Sequence, residues 1–420
     1  MEDVKWLLKK CGFPILVLAL AVIIGIIYCG KLSTIHKRIA EEVWEPPVEI
    51  SGSEMKVEEE TVESFQGLEY WSIPQASDCL ISDMEKEQLQ KKALLAAESV
   101  SAVYKDVKIV DAPSYSTGVS EFTREQRIAV VEELGKNGLV SIEEDSNMQN
   151  YESIETFYTE YLNGQDSMVT IYEVHRDGVI GAITFIHRKS KLQTYYVGIQ
   201  WKEGGIPELQ GTTISEVAEI NLTEKGYFIY AYEQPMAHAS LREYWRIKPL
   251  SDECRRLTEK YIRGLSYVNY NVLVTNWDSS NVEDILMSCM FEDIYRIYTG
   301  ENIKVENWEN SAEQYEKIMT TYFPVSVEQV RTCCGYIESS DSYPYDMIFA
   351  SQYPPFGEVI DYTENTDGTI TLIVDGVWAD YNSDCAFTNT IVVQPFDDGT
   401  FKILSNFIEE KELELPSIAR

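Results

Sequence analysis

The segment Asp380-Tyr-Asn382-Ser-Asp384 sets carboxylate or amide oxygens at alternate positions, which is how a calcium-wrapping loop begins. The positions that follow break the pattern. Cys385 stands where such a loop needs its turn glycine, and Ile391 where a bidentate glutamate is required, so an EF-hand is excluded. A calcium ion at Asp380, Asn382 and Asp384 would need distant ligands. It is the only cofactor the sequence suggests, and a solvated hairpin loop is the preferred reading of the segment.

The four histidines offer less. His36 flanks a long apolar run. His175 and His187 fall on neighbouring predicted strands and could approach one another, but neither has H-E-x-x-H or another metal-ligand spacing, so both read as strand-surface residues. His238, in Pro235-Met-Ala-His-Ala-Ser240, has a hydroxyl two residues away but no G-x-S-x-G around it and no third group to orient it. Carboxylate pairs cannot be singled out among 69 acidic residues.

Aromatic residues are a better guide, with 27 tyrosines and eight tryptophans. Tyr195, Tyr196, Trp201, Tyr227, Tyr230, Tyr232, Tyr244 and Trp245 crowd one region, and Tyr343, Tyr345, Tyr353, Phe356 and Trp378 another. Such rings can make flat platforms for sugars and peptides, but they are also ordinary core material in thin α+β domains, which is the preferred reading. If a contact surface exists, it is expected at the proline-braced stretch Ser342-Tyr-Pro-Tyr-Asp to Tyr353-Pro-Pro-Phe-Gly357, which carries Tyr343, Tyr345, Tyr353 and Phe356, with Trp378 completing the candidate binding set.

The elements that must carry these residues follow from periodicity and caps. Ser82 with Glu85, and Thr123 with Gln126, are capping-box pairs that open helices, and Tyr151 to Tyr161 is a third helix. From Met168 the period changes to two. Strands are predicted over 168–174, 179–187, 192–201, 213–221 and 227–233, with another near 244–247; the first two are joined by a turn at Arg176-Asp177-Gly178. The order then repeats. Helices are predicted at 252–263, 282–298, 312–321 and 327–334, then strands at 359–362, 370–378, 388–395 and 401–406. The fold class is α+β: a transmembrane helix followed by two α+β units, 79–250 and 251–420, each a helical layer on an antiparallel sheet. The second unit has the pattern of a cystatin or nuclear-transport-factor-like cone.

Residues 11–30, from Cys11 to Gly30, contain no charge and would form a helix of about 30 Å, the thickness of a bilayer's hydrocarbon core. Ala19-Leu-Ala21 has the form of a cleavage site, yet the apolar run continues through Tyr28. Tyr28 also stands where a lipoprotein signal before Cys29 would need a small residue. An uncleaved anchor is expected, preceded by a cytoplasmic flank at 1–10 and followed by a Glu-rich, self-repelling stalk at 31–78. Lys5, Lys9 and Lys10 balance Lys31, Lys37 and Arg38, so flanking charge does not orient the span. The signal-anchor form of the N-terminus places the body outside the cytoplasm.

The whole chain carries −34; Lys5, Lys9 and Lys10 against Glu2 and Asp3 leave +1 in the first thirty residues, so the remainder carries −35. Such a body repels polyanions, which excludes nucleic acid as a natural partner. Six of the eight cysteines lie outside the apolar run, too few for a disulfide scaffold, and no C-x-x-C occurs. Cys289 reads as a core residue on a helix face shared with Val282, Ile285, Leu286 and Ile297. A bond between the adjacent Cys333 and Cys334 would be strained, whereas one of them could pair with Cys385.

The runs Thr223-Glu-Lys-Gly-Tyr-Phe-Ile-Tyr230, Leu265-Ser-Tyr-Val-Asn-Tyr-Asn271, Tyr353-Pro-Pro-Phe-Gly357 and Val374-Asp-Gly-Val-Trp-Ala-Asp-Tyr381 together resemble a family of clostridial membrane-anchored proteins known as domain of unknown function number 6070. The resemblance spans roughly residues 80 to 415. It implies a Gram-positive anaerobe and brings no activity, substrate or catalytic residue. The expectation is a single-pass envelope protein whose body binds another envelope protein, a peptide or a glycan without catalysis. The alternative is an envelope hydrolase acting on glycan or peptide through a carboxylate site. Buried carboxylates clustered in an open cleft would favour the alternative, and an aromatic groove lacking them would favour binding.

Overall fold

The computed structural model describes residues 79–411, apart from 112–116, 120–121, 145, 234–241, 269, 305–308 and 347–353. Contacts divide the chain into Met1–Ile73 and Pro74–Arg420, and every described residue lies in the second unit. The apolar run at 11–30, the stalk at 31–78, His36 and His238 fall outside the described residues. Among those described, no helix is long and apolar enough to cross a membrane.

Helix α1 (Asp83–Tyr104) begins where Ser82 accepts from the Glu85 amide while Glu85 accepts from the Ser82 amide. After the small hairpin β1 (Ile109–Asp111) and β2 (Thr117–Val119), helix α2 (Arg124–Lys136) opens on the same reciprocal cap between Thr123 and Gln126. Strand β3 (Val140–Ile142) and helix α3 (Glu152–Leu162) follow. The meander then runs through β4 (Ser167–Val174), β5 (Ile180–Arg188), β6 (Lys191–Lys202), β7 (Ile206–Leu222), β8 (Tyr227–Tyr232) and β9 (Glu243–Arg246).

These seven strands form one sheet in sequential order, antiparallel throughout except for the parallel pair β3–β4. Helix α1 packs on one face, where Ala93, Ala97, Val100 and Tyr104 meet Tyr195, Val197 and Trp201. The other face takes Ile154 and Phe157 of α3 against Phe185, Phe228 and Trp245. Buried on both sides, β5 therefore reads as a near-continuous apolar run rather than an alternation. The sheet is strongly curled: Trp245 of the last strand donates its indole N–H to Glu173 Oε1 of β4 at 3.2 Å.

In the second half, helix α4 (Asp252–Leu257) continues as a wider π turn over Thr258–Ile262. The single helix expected over 282–298 is corrected. The chain forms two short 3₁₀ turns, Val282–Ile285 and Ser288–Met290, before helix α5 (Phe291–Thr299), because Leu286 and Met287 take extended backbone angles between them. Strand β10 (Glu309–Ser311), helices α6 (Ala312–Tyr322) and α7 (Val327–Cys333) and strand β11 (Ser342–Pro344) precede a four-stranded antiparallel sheet. Its strands are β12 (Phe356–Glu364), β13 (Ile370–Trp378), β14 (Ser383–Pro395) and β15 (Phe401–Glu410), in that order. The helices bury Leu257, Tyr315, Met319 and Val330 against Val374, Ile391, Phe401 and Ile403. At the outer strand, Trp277 and Asn406 exchange backbone hydrogen bonds of 2.9 Å, and the Ile408 amide donates to Asn276 Oδ1 at 2.7 Å.

The two sheets meet directly. Tyr227 and Ile229 on β8 pack with Val377, Ala379 and Phe356. Around this patch, Lys225 pairs with buried Asp375, Arg246 with Glu358, and Arg242 with Glu219, while Arg242 Nη1 also donates to the Asp380 carbonyl at 2.9 Å.

A cleft between the sheets as candidate binding site

Beside this junction lies a cleft of about 1310 Å³, bounded by the α2–β3 region, β9, the α4 and π-turn segment, and the start of β12. Strand β9 places Tyr244 on the sheet's outer face, and the neighbouring β12 places Phe356 opposite it. The two rings stack at 5.5 Å with an interplanar angle of 18°, and Tyr227 closes the group at 6.3 Å from Phe356. Tyr244 remains 40% exposed, so one face of a pre-packed aromatic pair is open to the cleft. The same β9 that offers Tyr244 outward turns Trp245 into the core, as strand alternation requires.

Charge lies against these rings. Arg246 pairs with Glu358 and sits 5.4 Å over the Tyr227 ring. Burial raises the Glu358 carboxyl above the ordinary carboxylate value, against the opposing pull of Arg246, Tyr227 and Arg255. Burial lowers Arg255, whose guanidinium reaches Asn147 Oδ1 at 3.1 Å from Nε. Asn147 in turn bonds both the amide and the carbonyl of Leu250 at 2.9 Å, tying the loop after β3 to the segment before α4. Glu243, at the start of β9, has its carboxyl raised by burial first and then by Glu173 and Asp380. Burial, followed by Glu243 and other carboxylates, pushes the Tyr244 phenol up to about 12. Glu143, also on the wall, is buried and paired with Arg127 at 3.2 Å.

The five rings expected to form a contact surface are dispersed. Phe356 lines the cleft. Tyr343 is fully enclosed, stacked on Tyr315 at 4.0 Å with its hydroxyl donating to Glu316 at 3.0 Å. It therefore offers no surface: its strand β11 pairs with β10 and turns the ring inward. Tyr345 is half-buried near Glu292, Trp378 packs on Tyr381 at 4.2 Å, and Tyr353 lies outside the described residues.

Asp380, Asn382 and Asp384 lie at the junction, where the Asn382 amide oxygen is buried without a hydrogen-bond partner among the described residues. The Asp380 carbonyl accepts from Arg242, Asn382 Nδ2 donates to Glu219 at 3.3 Å, and Asp384 accepts from the Lys225 amide at 2.8 Å. The cationic groups of Arg242 and Lys225 in this neighbourhood oppose a bound cation. Among the described residues no three His, Cys, Asp or Glu side chains are grouped to hold a metal ion.

His175 and His187 stand at opposite ends of the β4–β5 ladder, since His187 pairs with Ser167 and His175 follows Val174. His187 is not on the surface either: it is buried, with Nδ1 2.7 Å from the Gln165 carbonyl. All six described cysteines are free, so the pairing of Cys385 with Cys333 or Cys334 is corrected. Cys289 is half-buried in a 3₁₀ turn rather than on the face of a long helix.

Fold and cleft together define an α+β protein whose two sheets meet through buried ion pairs beside an aromatic and charged groove. The chain belongs to the Family of unknown function DUF6070, whose model matches residues 86–418. No curated protein and no solved structure matches it.

Proposed function

We propose that the protein is a single-pass, membrane-anchored binding module of the cell envelope. Its acidic body stands outside the cytoplasm and holds a peptide or glycan, free or as part of another envelope protein, in the cleft between the sheets. The observation that carries this reading is the Tyr244–Phe356 stack, a ring pair already ordered by packing yet open on one side. Rings of this kind bind at low entropic cost, and the flanking arginines and carboxylates supply the directional hydrogen bonds that a sugar or peptide needs. The anchor rests on the uncharged run at 11–30, and the exclusion of nucleic acid on the charge of the body. The division at residue 250 into two α+β domains belongs to the same reading. So does the likeness of the second to a cystatin or nuclear-transport-factor-like cone, supported by its four sequential antiparallel strands.

The test is a benzophenone amino acid in place of Tyr244, irradiated in the native membrane, with the same group in place of exposed Phe407 as control. A peptide or glycan adduct formed from position 244 and absent from 407 is expected. Equal labelling from both positions, or none from 244, overturns the reading.

The groove is not free of buried carboxylates, which is the feature that favours a hydrolase instead: Glu143 and Glu358 on its wall are paired with Arg127 and Arg246, and Glu243 stands beside them. Glu243, raised and electrostatically coupled to Glu173 at an open cleft, has the character of a general acid beside a second carboxylate. Turnover of an envelope glycan or peptide that is lost in Glu243→Gln while binding is retained would establish that alternative.

A further inference from the structure

Away from the cleft wall, one cluster of reactive side chains is left unused by the binding reading. Cys385 on β14 lies between Asp375 on β13 and Lys411 just beyond β15. Its thiol donates to Asp375 Oδ1 at 3.1 Å, its sulfur is 3.3 Å from Thr388 Oγ1, and the Lys411 ammonium donates to the sulfur at 2.6 Å. Lys411 is held there by its backbone, whose amide donates to the Ala386 carbonyl at 3.1 Å. Lys225 pairs with the other oxygen of Asp375; burial works to lower its ammonium, but Asp375 and Cys385 hold it above the ordinary lysine value. One thiol therefore has a proton acceptor on one side and an amine at contact distance on the other.

We propose that Cys385 is a peroxide-oxidised modification site and that Lys411 resolves the oxidised sulfur into a covalent sulfur–nitrogen crosslink. In the first step the thiol proton passes to Asp375 and the sulfur attacks one oxygen of hydrogen peroxide. An S–O bond forms, the O–O bond breaks, and the departing hydroxide takes a proton from the Lys411 ammonium and leaves as water. This produces a sulfenic acid beside a neutral amine. In the second step the amine nitrogen attacks sulfur, the S–N bond forms, the S–O bond breaks, and the hydroxyl leaves with an amine proton as a second water. Asp375 then releases its proton to solvent. Peroxide is the only oxidant consumed, and sulfur is the atom oxidised.

Cys385 is only 8% exposed, which suits an oxidant little larger than water.

The experiment is peptide mapping by mass spectrometry of the reduced full chain in detergent after treatment with hydrogen peroxide. A peptide pair joined through Cys385 and Lys411, lighter than its separate parts by two hydrogens and released by dithiothreitol, is expected. In Lys411→Gln the link is lost and Cys385 stops with added oxygen; a circular-dichroism melt checks that this variant folds. Wild-type Cys385 that carries oxygen without a link, or that stays reduced while Cys79 or Cys333 is oxidised, overturns the proposal. Because the wild-type map alone decides between these outcomes, the proposal stays falsifiable even with a Lys411→Gln chain that fails to fold.

Discussion

Arg246 on β9 and Glu358 on β12 form an ion pair across the junction of the two sheets, both side chains largely withdrawn from water. Such a pair costs its desolvation, so its removal in halves and its removal as a whole have different consequences. Arg246→Met leaves Glu358 buried without its partner and is expected to destabilise the chain by about 3–5 kcal/mol. Arg246→Met combined with Glu358→Met is expected to recover most of that loss. Urea titrations of the two variants decide it, and a double variant as unstable as the single one would show that Arg246 acts through its packing on Tyr227.

Glu243 gives a pH signature. Its carboxyl is raised in the folded chain, so its protonation favours folding below the ordinary value of 4.5, and this contribution disappears as pH rises through the raised value. Glu243→Gln keeps the neutral form at every pH. The variant is expected to melt higher than wild type at neutral pH, with the gap closing below pH 4.5. A gap that is constant with pH would assign the effect to something other than titration.

Asn389 is fully buried in β14 and joins the segment before Trp277 to the second sheet. It accepts from the Tyr267 hydroxyl at 2.7 Å and donates at 2.7 Å to both the Leu273 carbonyl and Asn406 Oδ1. Asn389→Leu takes the acceptor from the Tyr267 hydroxyl and the donor from Asn406 Oδ1, while the Leu273 carbonyl keeps the Asn406 Nδ2 donor at 3.1 Å; the change is expected to cost about 1–3 kcal/mol for each group left unsatisfied. Tyr267→Phe, which removes only one member, is expected to cost less. Thermal melts of the two variants rank them, and equal losses would argue against a shared network.

The parts of the fold that are legible in the sequence are those whose signal is local. Ser82 with Glu85 and Thr123 with Gln126 satisfy helix amides three residues away, and both caps form as the spacing implies. Asp177-Gly178 closes its turn because Gly178 takes a positive φ of 79°. Val140-Ser-Ile142 carries no such sign, since three residues have no period, and they become a strand only by pairing with β4. Tyr343 misleads for a related reason. Its proline neighbours read as a loop, and the long-range pairing of Asn310 with Tyr343 that buries it has no local trace.

The cleft is legible only in fragments. Phe356 reads as part of a contact surface and Tyr244 as one of an aromatic group, but nothing in the sequence joins positions more than a hundred residues apart. Their stacking depends on how β8 and β9 meet β12 and β13, which is fixed by ion pairs such as Lys225 with Asp375 rather than by periodicity. Glu173 and Glu243 are brought together by the curl of the seven-stranded sheet, a property of its tertiary packing.

The bridge between Trp277 and Asn406 bears on how copies of this chain behave towards each other. An outer strand with unused amides and carbonyls invites a neighbouring molecule to add its own strand, the first step toward fibrillar aggregation. On β15 the amides of Asn406 and Ile408 are already taken by a loop of the same chain, and Lys402 and Glu409 put charge along the remainder. The loop that holds Trp277 thus guards the sheet against recruitment into intermolecular β structure, a protection that would be lost if the loop were displaced.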